Sequence, residues 1–229
     1  MSEPLISVVI PIRNGERYLP DAIDSVLAQT RGRHEVIAVL NGSTDRSREI
    51  AAAFGGSVRT VTQLATDIAL ARNHGVSLAR GDLISFLDHD DVWDPEMSAT
   101  RLARFDADPE LGIVRTAAQN FLSPDLAPDR EATLRYVRGP IEAELAGATM
   151  VRREVWAHVG EFSAALAVGE FLEWMLRARR LGVRESVVSR PLLRRRIHAD
   201  NTTLKAGVEG LRDYTKVLKA ELDARRAAR

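Results

Sequence analysis

A chain of 229 residues, 45% of them hydrophobic, is long enough to bury the core of one large α/β domain, or of one domain with a small subdomain. The 32 basic and 32 acidic side chains balance to a net charge of zero, which argues against nucleic acid or a membrane surface as a partner, and the lack of cysteine excludes disulfides and thiolate chemistry. No apolar run approaches the roughly 18 residues of a membrane span and the N-terminus does not resemble a signal peptide, so we expect a cytoplasmic protein.

Strand and helix patterns alternate through the first hundred residues. Short apolar runs predict four strands, the first of which stops at Pro11; they lie at 6–10, 35–40, 58–63 and 83–87. Amphipathic stretches predict helices at 19–27, from Thr44 or Asp45 to Phe54, at 68–78 and at 95–106. This alternation predicts an α/β fold with a Rossmann-like, mostly parallel central sheet and helices on both faces, in which ligands bind at the carboxyl ends of the strands.

The second half of the chain is less regular. Further strands are predicted at 113–117, 148–151 and 192–197, helices at 153–159 and 169–181, and a surface loop at 123–139. A C-terminal helix from residue 203 carries apolar or small side chains at a spacing of three to four, namely Val208, Leu211, Thr215, Leu218 and Leu222. We expect this stripe to pack on its own domain; a homodimer contact is the alternative.

An acidic cluster follows the fourth predicted strand. Asp88, Asp90 and Asp91 lie within four residues at the carboxyl edge of that strand, with His89 between the first two. Their charges repel one another, and a divalent cation would relieve that repulsion because Mg²⁺ and Mn²⁺ prefer hard oxygen ligands and complete their coordination with water and substrate phosphates. The alternative is an acidic turn that caps the next helix.

Several segments, taken in chain order, resemble the glycosyltransferases of family 2, which have the GT-A fold. They are residues 8–19, 24–30, 42–45, 71–75, 79–82 with 86–91, 147–154 with 159–162, and 196–201. The resemblance implies a GT-A glycosyltransferase domain at 1–202, with a nucleotide-sugar-binding half at 1–100 and an acceptor-binding half at 101–202. The C-terminal helix occupies 203–229.

The resemblance also implies an activity and a set of site residues. The activity is metal-dependent transfer of a sugar from a nucleotide-diphosphate donor, a UDP-sugar in the first instance, with inversion at the anomeric carbon. The implied metal is Mn²⁺ or Mg²⁺, bound by Asp90 and His198, with Asp88 on the metal's water shell or on the ribose. The residues implied in donor binding are Pro11, Ile12, Asn14, Asn41, Arg72, Asp88, His89, Arg196 and Asn201.

Two positions depart from the family pattern. Leu40-Asn41 replaces the usual Asp-Asp; the amide of Asn41 can still accept a hydrogen bond from uracil, but selectivity for that base is weakened. Phe171 occupies the position of the acid that deprotonates the acceptor. We expect Glu170, and after it Glu173, to act as the base; the alternative is that both acids only complement the helix dipole.

The acceptor and two other classes of function stay open. A nucleotide-sugar-binding relative without catalysis is the main alternative. A nucleotidyltransferase or a dinucleotide oxidoreductase is disfavoured, because Gly15 is the single glycine in the turn after the first strand. A peptide, small molecule or saccharide is favoured as acceptor over a lipid carrier. The aromatic residues that either stack on the acceptor or belong to the core are Phe121, Tyr136, Trp156, Phe171 and Trp174.

Overall fold

The computed structural model describes residues 3–63, 66–126, 136–201 and 207–227. Within these ranges nine strands form one sheet. Their bounds are β1 Leu5–Ile12, β2 Arg33–Asn41, β3 Val58–Gln63, β4 Leu83–Phe86, β5 Val92–Trp93, β6 Ile113–Leu122, β7 Pro140–Ile141, β8 Thr149–Arg152 and β9 Glu185–Ile197. The order across the sheet is β3-β2-β1-β4-β8-β6-β9-β5, and β7 pairs with β6 at the side of this path.

Helices cover both faces of this sheet, as predicted. Their bounds are α1 Leu19–Leu27, α2 Ser47–Ala53, α3 Ile68–Leu78, α4 Met97–Ala107, α5 Arg153–Val159, α6 Glu170–Arg180 and α7 Gly207–Ala227. Side chains of α1, α2 and α4 pack into one apolar core, and side chains of α3, α5 and α6 pack into a second core on the opposite face. The alternation of strand residues between the two faces supplies both cores from the same strands: Val8 belongs to the first and Val9 to the second.

The strands β1 to β4 are parallel to one another. The prediction that the first strand stops at Pro11 is wrong, because β1 continues through Pro11 to Ile12. Leu87 donates its N–H to the carbonyl of Val9, so this carbonyl faces β4. The backbone nitrogen of Pro11, two residues after Val9, faces the same side, but it lies beyond the last β1–β4 pair, which joins Val9 to Phe86. Proline fits there because no ladder hydrogen bond is lost.

The second half of the sheet is mixed, and β6 and β9 are longer than predicted. β8 is antiparallel to β4 and to β6, whereas β6 and β9 run parallel along ten registered pairs with an irregularity near Ala117. The two-residue strand β5, which the sequence analysis missed, runs antiparallel to β9 and pairs Val92 with Arg194. This pairing lays the chain that follows the acidic cluster beside the end of β9, where His198 begins the next segment.

The second core is rich in aromatic rings. Trp156, Phe162, Phe171 and Trp174 contact one another with ring centroids 4.9–6.4 Å apart. Trp156, Phe171 and Trp174 are 8%, 5% and 0% exposed, so three of the five rings considered for the acceptor belong to this core. Phe171, which the resemblance puts at the position of the base, is thus an apolar side chain of this core.

The C-terminal helix packs on α6, but not through the predicted stripe. Among the side chains of this helix that the structure describes, those of Asp213, Val217 and Glu221 are buried, whereas Leu218 and Leu222 are 51% and 55% exposed. The apolar stripe did not predict the packed face, because ion pairs and a backbone hydrogen bond, rather than apolar contacts alone, hold that face against α6. The side chains of Val208 and Leu211 lie outside those that the structure describes, as do the 202/203 domain boundary and most of the loop predicted at 123–139.

Within the described parts of the chain, no helix is both long enough and apolar enough to cross a bilayer.

Candidate functional site

Asp90 and His198 meet at the carboxyl edge of the sheet. His198 Nε2 lies 2.9 Å from Asp90 Oδ2, and Asn201 Nδ2 lies 3.3 Å from the same oxygen. Asn201 also accepts the N–H of His198 at 2.8 Å, which fixes the turn that follows β9. Burial alone would raise the pKa of Asp90, but the hydrogen bond from His198 and the charges of His89 and His198 lower it overall. The structure thus brings together Asp90, His198 and Asn201, as the sequence predicted.

Arg72 joins the acidic cluster to the start of α6. Its guanidinium, on a side chain only 4% exposed, donates to Asp88 Oδ1 at 2.6 Å and to Glu170 Oε1. Burial would lower the pKa of Arg72, but the charges of Asp88 and Glu170 raise it overall, so the side chain stays cationic. Asn73, the next residue, exchanges two hydrogen bonds of 2.9 and 3.0 Å with the backbone of Phe162, which holds α3 against the segment that leads to α6.

The two candidate bases on α6 have different partners. Glu170 is 6% exposed; its Oε1 accepts from Arg72, and its Oε2 has no hydrogen-bond partner among the described residues. Glu173 pairs instead with Arg177, one turn further along the helix, at 3.0 Å. Glu170 is therefore connected to the acidic cluster through the Arg72 guanidinium, which also binds Asp88. Glu173 has no described contact with that cluster.

Arg196 is enclosed by protein groups. Its guanidinium lies 4.6 Å from the ring centroid of Tyr18 and 4.8 Å from that of Phe121, and it donates to Asp21 at 2.7 Å and to the carbonyl of Asp90 at 3.0 Å. Arg194 stacks on the same Phe121 ring, so these two arginines share a face, as strand alternation predicts. With these partners Arg196 holds the backbone of the acidic cluster; its contact with a diphosphate stays a prediction.

Tyr18 and Asp91 had no individual role predicted from the sequence, although Asp91 belongs to the acidic cluster. Tyr18 lies with its ring centroid 4.9 Å from that of His198, and its hydroxyl donates to Asp125. Asp91, 4% exposed, accepts the N–H of Arg196 at 2.9 Å, and burial together with the charges of Asp90 and Asp88 raises its pKa well above the usual range. The position of Asp91 next to Asp90 could have indicated its role from the sequence. No short-range pattern around Tyr18 indicates that it belongs to the site.

The turn after β1 lies against the acidic cluster. Asn14 adopts a left-handed conformation with φ of 51°, and its Oδ1 accepts the N–H of Thr44 at 2.9 Å. His89 Nδ1 lies 3.3 Å from the carbonyl oxygen of Pro11, and a Cβ on Gly15 would lie 2.6 Å from the His89 ring. The structure therefore places Pro11, Asn14 and His89 in one group, and Gly15 leaves the space that the imidazole fills.

Asn41 ends β2 at the same edge. Its side chain is 4% exposed, and its Oδ1 is buried without a hydrogen-bond partner among the described residues. A buried acceptor without a partner is costly, typically by about 1–3 kcal/mol. An N–H donor that reached this oxygen would remove that cost. The end of β1, with Ile12, lies directly beside it, since Ile12 is registered with Leu40.

The residues at this edge also fit a divalent cation that takes few protein ligands. Asp90 and His198 supply a carboxylate and an imidazole at one point, and the Asp88 carboxylate, 39% exposed, lies on the same short turn. Within the described ranges no group of three or more His, Cys, Asp or Glu side chains is arranged to hold a metal by itself. Mg²⁺ and Mn²⁺ commonly rely on one or two carboxylates and take other ligands from water and phosphate, which agrees with such a site.

Comparisons with known proteins identify the family of the chain. The family described as Glycosyl transferase family 2 matches residues 7–157. The chain is similar to glycosyltransferase GlyG of Streptococcus pneumoniae, with 40% identity over 119 residues, which cover 49% of this chain and 39% of GlyG. An uncharacterized glycosyltransferase of Bacillus subtilis, EpsJ, is 40% identical over 91 residues, or 38% of this chain and 26% of the relative. The chain thus spans well under half of either relative.

Solved structures show the same fold. S. aureus TarS in complex with UDP-GlcNAc has a TM-score of 0.70 at 18% identity, and the match covers 86% of this chain and 59% of that chain. The mannosyltransferase PcManGT from Pyrobaculum calidifontis, in complex with GDP-Man and Mn²⁺, has a TM-score of 0.65 at 18% identity over 90% of this chain and 60% of that chain. At this level of identity the likeness is one of fold, and the predicted GT-A fold is confirmed.

Proposed function

Because the chain belongs to glycosyl transferase family 2, we propose that it transfers a sugar from a nucleotide-diphosphate donor, with a UDP-sugar as the first choice, to an acceptor hydroxyl. The acceptor oxygen attacks the anomeric carbon from the face opposite the diphosphate. The bond from that carbon to the diphosphate breaks, and its electron pair leaves with the nucleotide. The sugar is therefore transferred with inversion.

The observation that carries this proposal is the Arg72 bridge. One buried guanidinium binds both Asp88, in the acidic cluster, and Glu170, at the start of α6. The donor diphosphate is expected at the cluster, and the base must lie within about 3 Å of the acceptor proton. One cation bound to both carboxylates supports the proposal that Glu170 and the acidic cluster act on the same bound donor.

Glu170 is the proposed base. Its Oε1 is held by Arg72, and its Oε2 is left to take the acceptor proton. Glu173 is the second choice because its partner is Arg177 and it has no described contact with the acidic cluster. Asp90 and His198, with Asp88 beside them, would hold Mn²⁺ or Mg²⁺, which would supply Lewis-acid stabilisation of the charge on the leaving diphosphate. TarS and PcManGT, similar in fold, were solved with UDP-GlcNAc and with GDP-Man and Mn²⁺ respectively.

Recognition of the nucleobase of the donor is assigned to Asn41 and the end of β1. The unpartnered Oδ1 of Asn41 would accept an imino N–H such as that of uracil, and its NH₂ group would donate to the neighbouring carbonyl of the base. Pro11, Ile12 and Arg72 would flank the nucleotide. A peptide, small molecule or saccharide remains the proposed acceptor class, and the cytoplasm the proposed location.

The test begins with the donor. Thermal stabilisation by a panel of UDP-, GDP-, dTDP- and CDP-sugars, each with and without Mn²⁺, should identify one donor, whose turnover is then followed by nucleotide release. Asp90→Asn should abolish metal-dependent turnover and leave the unfolding temperature within a few degrees. Asp106→Asn, a surface acid paired with Arg31, is the matched control and should keep the wild-type rate. Wild-type turnover in Asp90→Asn would contradict the proposed metal site.

One observation favours a second candidate, a nucleotide-sugar-binding module without catalysis. Phe171, at the position of the missing acid, is 5% exposed and stacks on Trp174, so this position supplies no acid to the site. If a nucleotide sugar binds with Mn²⁺ but no donor of the panel is turned over, with or without added peptides and saccharides, this second candidate is the correct one.

A further inference from the structure

The C-terminal helix contacts the residue that immediately precedes Glu170. Gly169 has a left-handed φ of 85°, and a Cβ at this position would lie 3.3 Å from two ring atoms of Tyr214 on α7. The phenol ring therefore lies directly on the Gly169 backbone. A left-handed residue in contact with a ring is a position where glycine is needed both for its conformation and for the lack of a side chain.

A second contact holds the segment just before Gly169. Asp213, 8% exposed, accepts the N–H of Ala167 at 3.0 Å through Oδ2, and its other oxygen pairs with Lys216 at 2.7 Å. Neighbouring side chains of α7 thus bind the backbone at 167 and at 169. The first turn of α6, which carries Glu170, is fixed from outside the helix.

The other end of α6 is held by the same helix. Glu221, two turns after Asp213, pairs with Arg180 at 2.7 Å, and Val217 between them is 5% exposed. The helix α7 therefore lies along α6 from its first turn to its last. Contacts with α7 at both ends of α6 restrict the orientation of α6.

Glu170 and Tyr214 are also close enough to interact electrostatically. Burial, and next the charge of Glu170, raise the pKa of Tyr214, while Arg195 opposes them. The phenol is 39% exposed, and its hydroxyl has no hydrogen-bond partner among the residues that the structure describes. The ring thus covers the Gly169 backbone and remains partly exposed.

From these contacts we propose that α7 is part of the catalytic unit and that Tyr214 is a positioning residue, which sets the direction of Glu170 by holding Gly169. The proposal rests on the proposed function insofar as Glu170 is the base. The helix α7 lies beyond residues 7–157, which match the family, so this means of positioning the base lies outside the matched part of the chain. Misplacing a catalytic group by about 1 Å costs on the order of 100-fold in rate.

Kinetics of four proteins that contain residues 1–229 test the role: wild type, Tyr214→Ala, Tyr214→Phe and, as matched control, Leu218→Ala one turn further along α7. The readout is hydrolysis of the donor found in the panel, with Mn²⁺ and with water as acceptor. We expect Tyr214→Ala to lower kcat by about 10–100-fold with a donor KM within about twofold of wild type. Tyr214→Phe, which keeps the ring, and Leu218→Ala should retain the wild-type kcat. A wild-type kcat in Tyr214→Ala would overturn the proposal.

Hydrogen exchange provides a readout that does not depend on activity. In Tyr214→Ala, the amides of 167–171 should exchange at least about tenfold faster than in wild type, whereas those of 174–180 should change less. Unchanged exchange at 167–171 would overturn the positioning role even if the donor is turned over. If wild type turns over no donor but exchange at 167–171 rises, the proposed function fails and the contact between α7 and α6 stands.

Discussion

Replacing Arg72 by methionine should destabilise the protein far more than an ordinary surface substitution. The Arg72 side chain is 4% exposed and pairs with the side chains of Glu170 and Asp88, which are 8% and 39% exposed respectively. Arg72→Met leaves Glu170 buried and without its cation, and removing one partner of a buried pair costs about 3–5 kcal/mol. The Asp88 contact adds little, because water screens a half-exposed carboxylate.

A double-mutant cycle separates this charge effect from lost packing. Glu170→Gln alone should cost about 1 kcal/mol, because its amide oxygen still accepts from Arg72 and Asp88 still balances the cation. In the double variant Arg72→Met/Glu170→Gln the buried, unpaired carboxylate is gone. The double variant should therefore be more stable than the sum of the single effects predicts, by about 2 kcal/mol.

Urea unfolding followed by tryptophan fluorescence measures these free energies, since Trp156 and Trp174 lie in the core beneath α3 and α6. A loss below about 1 kcal/mol in Arg72→Met, or additive effects in the double variant, would refute the reasoning that Arg72 neutralises a buried Glu170. Arg80→Met is the matched control: its side chain is 74% exposed and pairs with Glu35, so its loss should be small.

Three further predictions follow from contacts outside this bridge. Gly15→Ala should lower stability by about 1–3 kcal/mol in thermal unfolding, because its Cβ would lie 2.6 Å from the His89 ring, and His89→Ala in the same chain should restore most of the loss. Burial lowers the pKa of His34 from 6.5 to about 4, partly offset by the charge of Glu3 and a hydrogen bond with the backbone of Gly32. Between these pH values the unfolded chain binds a proton that the folded chain does not, so stability should fall as pH drops from 6.5 to 4. The fall should be smaller in His34→Gln. A homodimer contact was the alternative role of the apolar stripe; if the exposed face of α7 forms it, Leu218→Asp should yield monomers by sedimentation, and a monomeric wild type would contradict that dimer.

Short-range patterns predicted the frame of the fold well. Apolar runs located β1 to β4, and amphipathic spacing located α1, α3 and α6, because each of these elements buries one continuous face. The two-residue strand β5 was missed, since Val92 and Trp93 form a strand only through their pairing with Arg194 and Leu193. The packed face of α7 was assigned wrongly because Asp213 and Glu221 are buried by partners far along the chain.

The candidate site divides in the same way. The strand edge brought Asp90 and Asn41 to the predicted place, because parallel strands end together. No local pattern could show that Arg72 bridges Asp88 and Glu170, since the latter lies 98 positions away. Likewise, nothing near Gly169 in sequence indicates that Tyr214 covers it. Contacts of this kind follow from the packing of helices on one face, which the sequence predicted only in outline.

The most direct test of the central claim compares two conservative variants of α6, Glu170→Gln and Glu173→Gln, at saturating donor. We predict that Glu170→Gln lowers kcat by about 10²–10⁴-fold with donor affinity unchanged, because a positioned base contributes that much. Glu173→Gln, which only loosens the contact with Arg177, should stay within about threefold of wild type. A wild-type kcat in Glu170→Gln, or a collapse confined to Glu173→Gln, would contradict the role of the Arg72-bridged acid as the base.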